Sequence, residues 1–197
     1  MKMTENKTYW ESKYKIGETG WNIGSISTPI KEYIDQLTNK NIKILIPGAG
    51  NAYEAEYLYK RGFKNVNVLD IAKEPLLNLK KRIPHFPDNQ LLEEDFFNHN
   101  GLYDLIIEQT FFCAINPDLR NLYAQKIHEL LKEDGQLVGL LFDFPLTDDG
   151  PPFGGSYQEY LDTFTPYFDI KILEKSYNSI KPRADREFFI QFKKKQL

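Results

Sequence analysis

A glycine turn followed by a distant acid carries the clearest chemistry in this sequence. Gly48, Ala49 and Gly50 come close after an apolar run, and Asp70 closes the next apolar run. Glycines let the backbone approach a ligand, and an acid about 20 residues further on, at the end of the neighbouring strand, accepts hydrogen bonds from two ribose hydroxyls. This spacing predicts a binding site for a nucleotide or another adenosine-containing cofactor.

The residue at the end of this turn narrows the class of cofactor. A dinucleotide fingerprint requires a third glycine or alanine at position 53, but the residue there is Tyr53. A bulky side chain would crowd the helix start on which a pyrophosphate must rest. The pattern therefore favours a cofactor without phosphates, such as S-adenosylmethionine (SAM), over NAD. A glycine turn that joins a strand to a helix and binds no ligand is the plain structural alternative.

The elements around this turn alternate between strands and helices. We predict helices over 28–38, 51–61, 73–82, 118–131 and 156–164, and strands over 42–46, 65–70, 91–92, 103–108, 136–142, 168–177 and 186–194. This alternation indicates an α/β fold with a doubly wound, mostly parallel seven-stranded sheet. The last two strands are joined by a short connection that contains Pro182, and a short connection cannot make a parallel crossover. We therefore expect the sheet to end in an antiparallel hairpin.

Length and composition indicate a single globular domain. The 197 residues fit a single domain, which we expect over 1–197, with the aromatic and irregular segment 1–27 as a lid-like N-terminal extension. The chain has 14 Phe, 12 Tyr and 2 Trp, enough rings to fill a core and to wall an apolar pocket. A net charge of −3 argues against nonspecific nucleic-acid binding, which needs a basic surface.

The single cysteine, the polar N-terminal residues and the lengths of the apolar runs favour a cytoplasmic protein, and the histidine spacing predicts no metal site. Cys113 is the only cysteine, so an internal disulfide is impossible. The N-terminal residues contain no apolar signal core, and no apolar run approaches the length that spans a membrane. His85, His99 and His128 lack metal-ligand spacing. We expect a monomer or weak dimer whose partner is a small molecule, neither nucleic acid nor membrane.

Several motifs together resemble one methyltransferase family. They are Trp10 and Trp21, the glycine turn, Asp70 and Ile71, Asp95 and Phe96, the string Thr-Phe-Phe-Cys-Ala-Ile-Asn-Pro at 110–117, Arg120, and Gly-Pro-Pro-Phe at 150–153. Because these motifs occur in this order, the chain resembles the thiopurine S-methyltransferases and the plant-type thiol and halide methyltransferases. The resemblance extends from about Tyr9 to Phe192. The string at 110–117 is much more specific than the glycine turn.

The resemblance implies a Rossmann-like class I methyltransferase fold and a SAM-dependent activity. The methyl acceptor would be a small soft nucleophile, either a thiol, a thiopurine-like heterocycle or a halide. Two other functions stay open from the sequence, namely a SAM-binding module without catalysis and, less favoured, an NAD-dependent oxidoreductase.

The resemblance also implies positions for the cofactor-binding residues. Trp21 would contact SAM and Asp70 its ribose, while Trp10 would either extend this lid or close the edge of the core. Asp95 and Phe96 would lie at the adenine, although Phe96 could equally belong to the core. The remaining cofactor-binding positions are Gly48, Ala49, Gly50, Ile71, Glu108 and Thr110.

Glu108 and Thr110 lie where the fourth predicted strand ends, at the switch point at which open sheets bind ligands. The Glu108 carboxylate could pair with the methionyl ammonium of SAM or could be a solvated edge residue. The backbone of residues 108–110 offers a further contact to the same end of the cofactor.

Two arginines are candidates for the acceptor side and are predicted as catalytic residues. Arg120 opens a helix, where a cation is mildly disfavoured by the helix dipole, so it is either held near the acceptor, as in the family, or paired at the surface. Arg183, with Arg186, precedes the last strand and could reach the pocket mouth. The Gly- and Pro-rich loop 143–155 is expected to shape the acceptor pocket, and Cys113 is expected to be a small buried residue.

Overall fold

Strands and helices alternate along the chain as predicted. The computed structural model describes residues 7–147 and 149–196. Its strands are β1 (Lys43–Pro47), β2 (Asn65–Asp70), β3 (Leu91–Glu93), β4 (Tyr103–Gln109), β5 (Leu131–Phe142), β6 (Phe168–Lys175) and β7 (Glu187–Lys194). The α-helices of the described residues are α1 (Lys7–Ile16), α2 (Thr28–Asp35), α3 (Tyr53–Lys60), α4 (Lys73–Arg82), α5 (Arg120–Leu130) and α6 (Tyr157–Phe164).

These strands form one sheet with the order β3-β2-β1-β4-β5-β7-β6. The pairs from β3 across to β5 are parallel, and β7 pairs antiparallel with both β5 and β6. The order reverses between β1 and β4, so the carboxyl ends of these two strands flank a crevice. The predicted doubly wound sheet with its C-terminal antiparallel hairpin is confirmed.

Two apolar layers cover the two faces of the sheet. On one face, α2, α3 and α4 bury Ile34, Leu58 and Leu79 against β1 and β2. On the other face, α5 and α6 bury an aromatic cluster that includes Tyr123 and Phe164. Because both faces are buried, the central strands are nearly continuous apolar runs, which fixes their ends in space and with them the loops that follow.

The largest difference from the sequence expectation is α1, which was predicted as irregular. This helix has no buried residue, so it lacks the apolar stripe by which amphipathic helices are recognised. Its position is fixed instead by contacts of individual side chains, among them an ion pair between Lys7 and Glu93 beside β3. A smaller difference concerns the start of β5, which was predicted at residue 136 and lies at Leu131. Leu131 pairs with Tyr103 and Gln136 pairs with Leu105, and residues 132–135 bulge out between these two pairs.

The start of α2 prepares a contact to the site. Ser27 occupies the N-cap position with an extended backbone, but its side chain makes no cap hydrogen bond. The hydroxyl donates instead to Gln109 Oε1 at 2.8 Å, at the end of β4. Segment 21–27 is thereby attached to the switch point of the sheet.

Two kinds of feature are missing from the part of the chain that the structure describes. No helix there combines the length and the apolar character that a bilayer crossing requires. Nor do three or more His, Cys, Asp or Glu side chains gather there in a way that could hold a metal ion.

Candidate functional site

A cavity of about 930 Å³ opens at the carboxyl ends of β1, β2, β4 and β5, within the size range of small-molecule sites. Of the predicted site residues, those that line it are Trp21, Gly48, Ala49, Gly50, Asp70, Ile71, Asp95, Phe96, Thr110 and Arg183. The structure thus brings together ten of the twelve predicted positions. The two that are not among the lining residues are Glu108 and Arg120.

The turn after β1 forms one wall of this cavity through its backbone. Gly48 and Gly50 have φ of 54° and 52°, and Ala52 has φ of 54°, all in the left-handed region. A Cβ on Gly48 would lie 2.1 Å from the Phe111 ring, so only glycine fits there. Tyr53 starts α3 at the cavity wall, with the Arg82 guanidinium 4.7 Å from its ring centre. The bulky residue predicted to crowd this helix start therefore does lie at the site.

Asp70 is joined to this turn directly. Its Oδ2 accepts a hydrogen bond from the Gly50 N–H at 3.0 Å, and its Oδ1 accepts one from the Ala72 N–H at 2.8 Å. Burial raises the pKa of Asp70 to about 6, although these N–H groups oppose the shift. The glycine turn and the acid, inferred from spacing alone, thus share one hydrogen bond at the cavity wall.

The segment after β3 contributes a polar group and a ring. Asp95 Oδ1 accepts from the Phe97 N–H at 2.9 Å and so begins the 3₁₀ turn Phe96–Asn98. Phe96 packs at 5.2 Å between ring centres against Phe111 and at 5.3 Å against Tyr123. Phe96 therefore belongs both to the core and to the cavity wall, which reconciles the two alternatives drawn from the sequence.

Glu108 corrects a prediction, because its side chain points away from the cavity. It has no exposed surface. Its Oε1 accepts from the N–H groups of Phe111 and Phe112 at 2.7 and 2.9 Å, and its Oε2 accepts from the Tyr123 hydroxyl. Burial raises the pKa of Glu108 to about 7. Glu108 is neither a solvated edge residue nor free to pair with a ligand; it holds the chain that follows β4.

Two polar residues that the sequence interpretation missed also line the cavity. Gln109 receives the Ser27 hydrogen bond at its oxygen, while its Nε2 is buried and has no hydrogen-bond partner among the described residues. Glu54, in the first turn of α3, is only 5% exposed. Burial raises the pKa of Glu54 to about 7, against the N–H groups of Glu54 and Ser27 and the charge of Arg183. An acid in the first helical turn is so ordinary that the sequence offers no signal for it.

Aromatic residues of the N-terminal segment close the cavity above the glycine turn. The Trp21 ring packs edge-on against Trp10 at 5.3 Å and Tyr14 at 5.7 Å between ring centres. Tyr14 and Trp21 are also the side chains nearest to a Cβ built on Gly50. The Arg183 Nη2 donates to the Trp21 carbonyl at 2.9 Å. Contacts from both ends of the chain therefore hold Trp21 over the turn.

The opposite wall is aromatic and cationic. Arg183 lies 5.5 Å from the Phe142 ring centre, and Arg186 lies 4.8 Å from that of Phe144. The loop 143–155 contributes lining residues and is attached below by a hydrogen bond from the Phe153 N–H to the Cys113 carbonyl at 2.7 Å. The predicted contribution of this loop to the cavity is thus present. Two arginines over aromatic faces can attract an anion into an otherwise apolar space.

Arg120 is a second correction. Its side chain is 4% exposed and donates to Glu159 and to the Gly154 carbonyl, the latter at 2.8 Å. Its guanidinium also lies 4.6 Å from the Phe112 ring centre. The pairing predicted as the alternative is present, but it is buried behind the cavity wall rather than at the surface. Arg120 therefore supports the loop and α6 from behind.

Cys113 is buried, as predicted. Its thiol donates to the Thr110 carbonyl at 3.3 Å, and burial raises its pKa well above the usual value. A thiol that stays protonated is a poor nucleophile.

Comparisons with known proteins agree with this geometry. A model of the thiopurine S-methyltransferase (TPMT) family matches residues 5–194. An Arabidopsis thaliana protein named probable thiol methyltransferase 2 is 31% identical over 199 residues, which cover 98% of this chain and 88% of the relative. Thiocyanate methyltransferase 1 of Brassica oleracea is 28% identical over 190 residues, with 94% and 84% covered.

Solved structures share the fold. The 1,6-didemethyltoxoflavin-N1-methyltransferase of Burkholderia thailandensis, solved with bound 1,6-didemethyltoxoflavin and S-adenosylhomocysteine, superposes with a TM-score of 0.75 at 17% identity, covering 96% of this chain and 87% of the other. A TehB-like SAM-dependent methyltransferase of Corynebacterium glutamicum gives a TM-score of 0.63 at 19% identity, covering 95% and 97%.

The buried contacts of Arg120 predict a structural role for it. Arg120→Ala should lower the free energy of unfolding by about 3 kcal/mol, because it strands the Glu159 carboxylate and the Gly154 carbonyl. Denaturant titration measures this change. Arg61→Ala, which removes an exposed arginine, is the control and should stay within about 0.5 kcal/mol of the parent. Parental stability of the Arg120 variant would contradict the structural role.

Proposed function

This chain belongs to the thiopurine S-methyltransferase family, and from that premise we propose that its cavity binds SAM against the glycine turn and a small acceptor against the aromatic wall. The protein is a SAM-dependent methyltransferase that acts on sulfur-containing or other small acceptors. The predicted family, cofactor and activity are thereby confirmed. The placement of the two substrates within the cavity is our proposal.

The adenosyl half of SAM fits the β2 side of the cavity. The two ribose hydroxyls would donate to Asp70, whose carboxylate already lies against the Gly50 N–H. The adenine would lie between Ile71 and the segment of Asp95 and Phe96, all at the cavity wall. The left-handed turn at Gly48 and Gly50 keeps side chains out of the space between these groups. Open backbone and apolar side chains beside the Asp70 carboxylate suit an adenosine without phosphates.

The acceptor fits the wall formed by Phe142, Phe144, Arg183 and Arg186. The two cations would favour soft anions such as a thiolate, thiocyanate or iodide. The rings would favour acceptors that are weakly hydrated. The relatives named for thiol and thiocyanate methylation are consistent with this class.

The contribution of the chain to the reaction is alignment and the exclusion of water. When bound, SAM would supply a methyl group on a positively charged sulfur. The acceptor would attack the methyl carbon in line as the bond from that carbon to the sulfur breaks. Arg186 would attract the acceptor, Arg183, which pairs with Glu187 and donates to the Trp21 carbonyl, would position the pocket mouth on the acceptor side, and Asp70 would fix the ribose. An acceptor that is already anionic needs no side chain to remove a proton, so the rate depends mainly on orientation in an apolar space.

We also propose that residues 1–27 form a lid on a single domain that spans 1–197. The support is the contact of Trp10, Tyr14 and Trp21 around the glycine turn. An indole face attracts a sulfonium and its neighbouring methylenes, so Trp21 would both cover SAM and exclude water. Residues 1–6 lie outside the described part of the chain.

We propose that the protein is cytoplasmic and that it is a monomer or a weak dimer. The single cysteine is buried and reduced, which requires no oxidising compartment.

Methyl transfer from labelled SAM tests the function. Hydrosulfide, thiocyanate, iodide and an aromatic thiol should be offered in parallel, and at least one should be methylated faster than in the absence of enzyme. Titration with S-adenosylhomocysteine and with NAD supplies the control for binding. Binding of S-adenosylhomocysteine without turnover of any acceptor would favour a noncatalytic module, and binding of NAD alone would refute the proposal.

The ribose contact predicts a specific pH dependence. The probe is 5′-methylthioadenosine, which has the ribose and adenine of SAM but no amino-acid end. Because ribose hydroxyls donate to the anionic form of Asp70, affinity should be constant well above pH 6 and fall by up to about tenfold per pH unit below it. Calorimetric titration between about pH 5 and pH 8 measures this slope.

Asp70→Asn should weaken the same ligand by about 10- to 100-fold at high pH and abolish the slope. Asp88→Asn removes an exposed carboxylate and is the matched control, with unchanged affinity. An Asp70→Asn variant that keeps both the parental affinity and its slope would exclude Asp70 from the site.

The cationic wall predicts a charge preference among acceptors. Arg186→Gln should raise KM for iodide and thiocyanate by about two- to fivefold, the range for a partly solvated charge. KM for an uncharged thiol should change less. Arg61→Gln, far from the cavity lining, is the control for net charge. Equal effects of both variants would mean that long-range charge, rather than Arg186 itself, attracts the acceptor.

A further inference from the structure

Glu54 is a buried carboxylate at the cavity whose position the proposed reaction does not yet use. It lies in the first turn of α3, lines the cavity and is 5% exposed. Within residues 7–147 and 149–196, no lysine or arginine forms an ion pair with it; Arg183, which contributes a favourable charge, pairs with Glu187. A buried carboxylate without a paired cation is costly unless a ligand supplies one.

The topology assigns Glu54 to one end of the cavity. Asp70 follows β2, the glycine turn follows β1, and Gln109 ends β4, on the other side of β1 from Asp70. Ser27 donates to Gln109 through its hydroxyl, and its N–H favours the anionic form of Glu54. Glu54 and Gln109 therefore both contact Ser27, and Gln109 lies across β1 from Asp70.

We propose that Glu54 binds the ammonium of the amino-acid end of SAM, and that Gln109 Nε2 donates to the adjoining carboxylate. This assignment rests on the proposed placement of the ribose at Asp70, because a ligand held there extends its other end across the turn toward β4. The ammonium supplies the cation that Glu54 lacks. The carboxylate supplies an acceptor for an amide nitrogen that is buried without a partner.

The contacts of Glu108 favour Glu54 for this role. Glu108, the other acid near the end of β4, has both oxygens occupied by two N–H groups and the Tyr123 hydroxyl. Burial raises the pKa of Glu54 to about 7, and a cation beside it would favour the charged form. The competing interpretation is that Glu54 merely fastens segment 21–27 to α3 through Ser27.

Three ligands separate these interpretations by calorimetric titration. S-adenosylhomocysteine has the ammonium and the carboxylate, its decarboxylated form has only the ammonium, and 5′-methylthioadenosine has neither. Glu54→Gln should weaken the first two by about 10- to 100-fold, as expected for a lost charged hydrogen bond. Its affinity for 5′-methylthioadenosine should stay within about twofold of that of the parent protein, a change too small to signify a lost contact. Glu74→Gln, an exposed acid in the first turn of α4, is the matched control.

The contrary outcomes are distinct. Equal weakening of all three ligands, or of none, would overturn the assignment and leave Glu54 with the fastening role. If Glu54→Gln does not fold, Glu54→Asp supplies the same ligand comparison, since it keeps the charge but shortens its reach. Failure of the parent protein to bind S-adenosylhomocysteine at all would instead refute the proposed function.

Discussion

The site depends on the hydrogen bond between the Gly50 N–H and the Asp70 carboxylate. It joins the loops that follow two neighbouring parallel strands, and it exists only because β1 and β2 end at the same level of the sheet. The left-handed φ of Gly48 and Gly50 turns the backbone toward the acid. This part of the cavity wall is therefore made of backbone and one buried carboxylate, which leaves room for a ligand beside them.

The rest of the fold holds these two loops in place. Parallel strands buried on both faces have little freedom to shift, because a slip of one residue would exchange the side chains that pack into the two apolar layers. Behind the switch point, Glu108 binds two backbone N–H groups of the chain after β4, and the ring of Phe111 fills the space beside Gly48. Arg120 supports the acceptor-side loop from behind in the same way. Glu108 and Arg120, which the sequence suggested as ligand contacts, thus support residues that line the cavity.

The sequence was sufficient to predict the sheet and the proximity of Gly50 to Asp70, for definite physical reasons. Apolar strand runs, a glycine turn and a spaced acid are local patterns, and the strand bounds of β2 agree with the prediction residue for residue. Side-chain direction at a strand end is not local. Successive residues of a strand face opposite sides, so a shift of one position decides whether Glu108 or Gln109 meets the cavity. Helix α1 escaped prediction because its contacts are made by single aromatic and charged side chains rather than by an apolar stripe.

Three buried carboxylates surround the switch point, and they differ in how fully the protein satisfies them. Glu108 receives three hydrogen bonds, and Asp70 receives two from backbone N–H groups. Glu54 has beside it only its own N–H, that of Ser27 and the more diffuse charge of Arg183. Burial disfavours the charged form of all three, so each remaining unsatisfied oxygen is a place where a ligand gains free energy that the folded protein alone does not provide. This order of satisfaction agrees with the proposed roles, in which Glu108 supports the fold, Asp70 would serve both the fold and the ligand, and Glu54 would serve mainly the ligand.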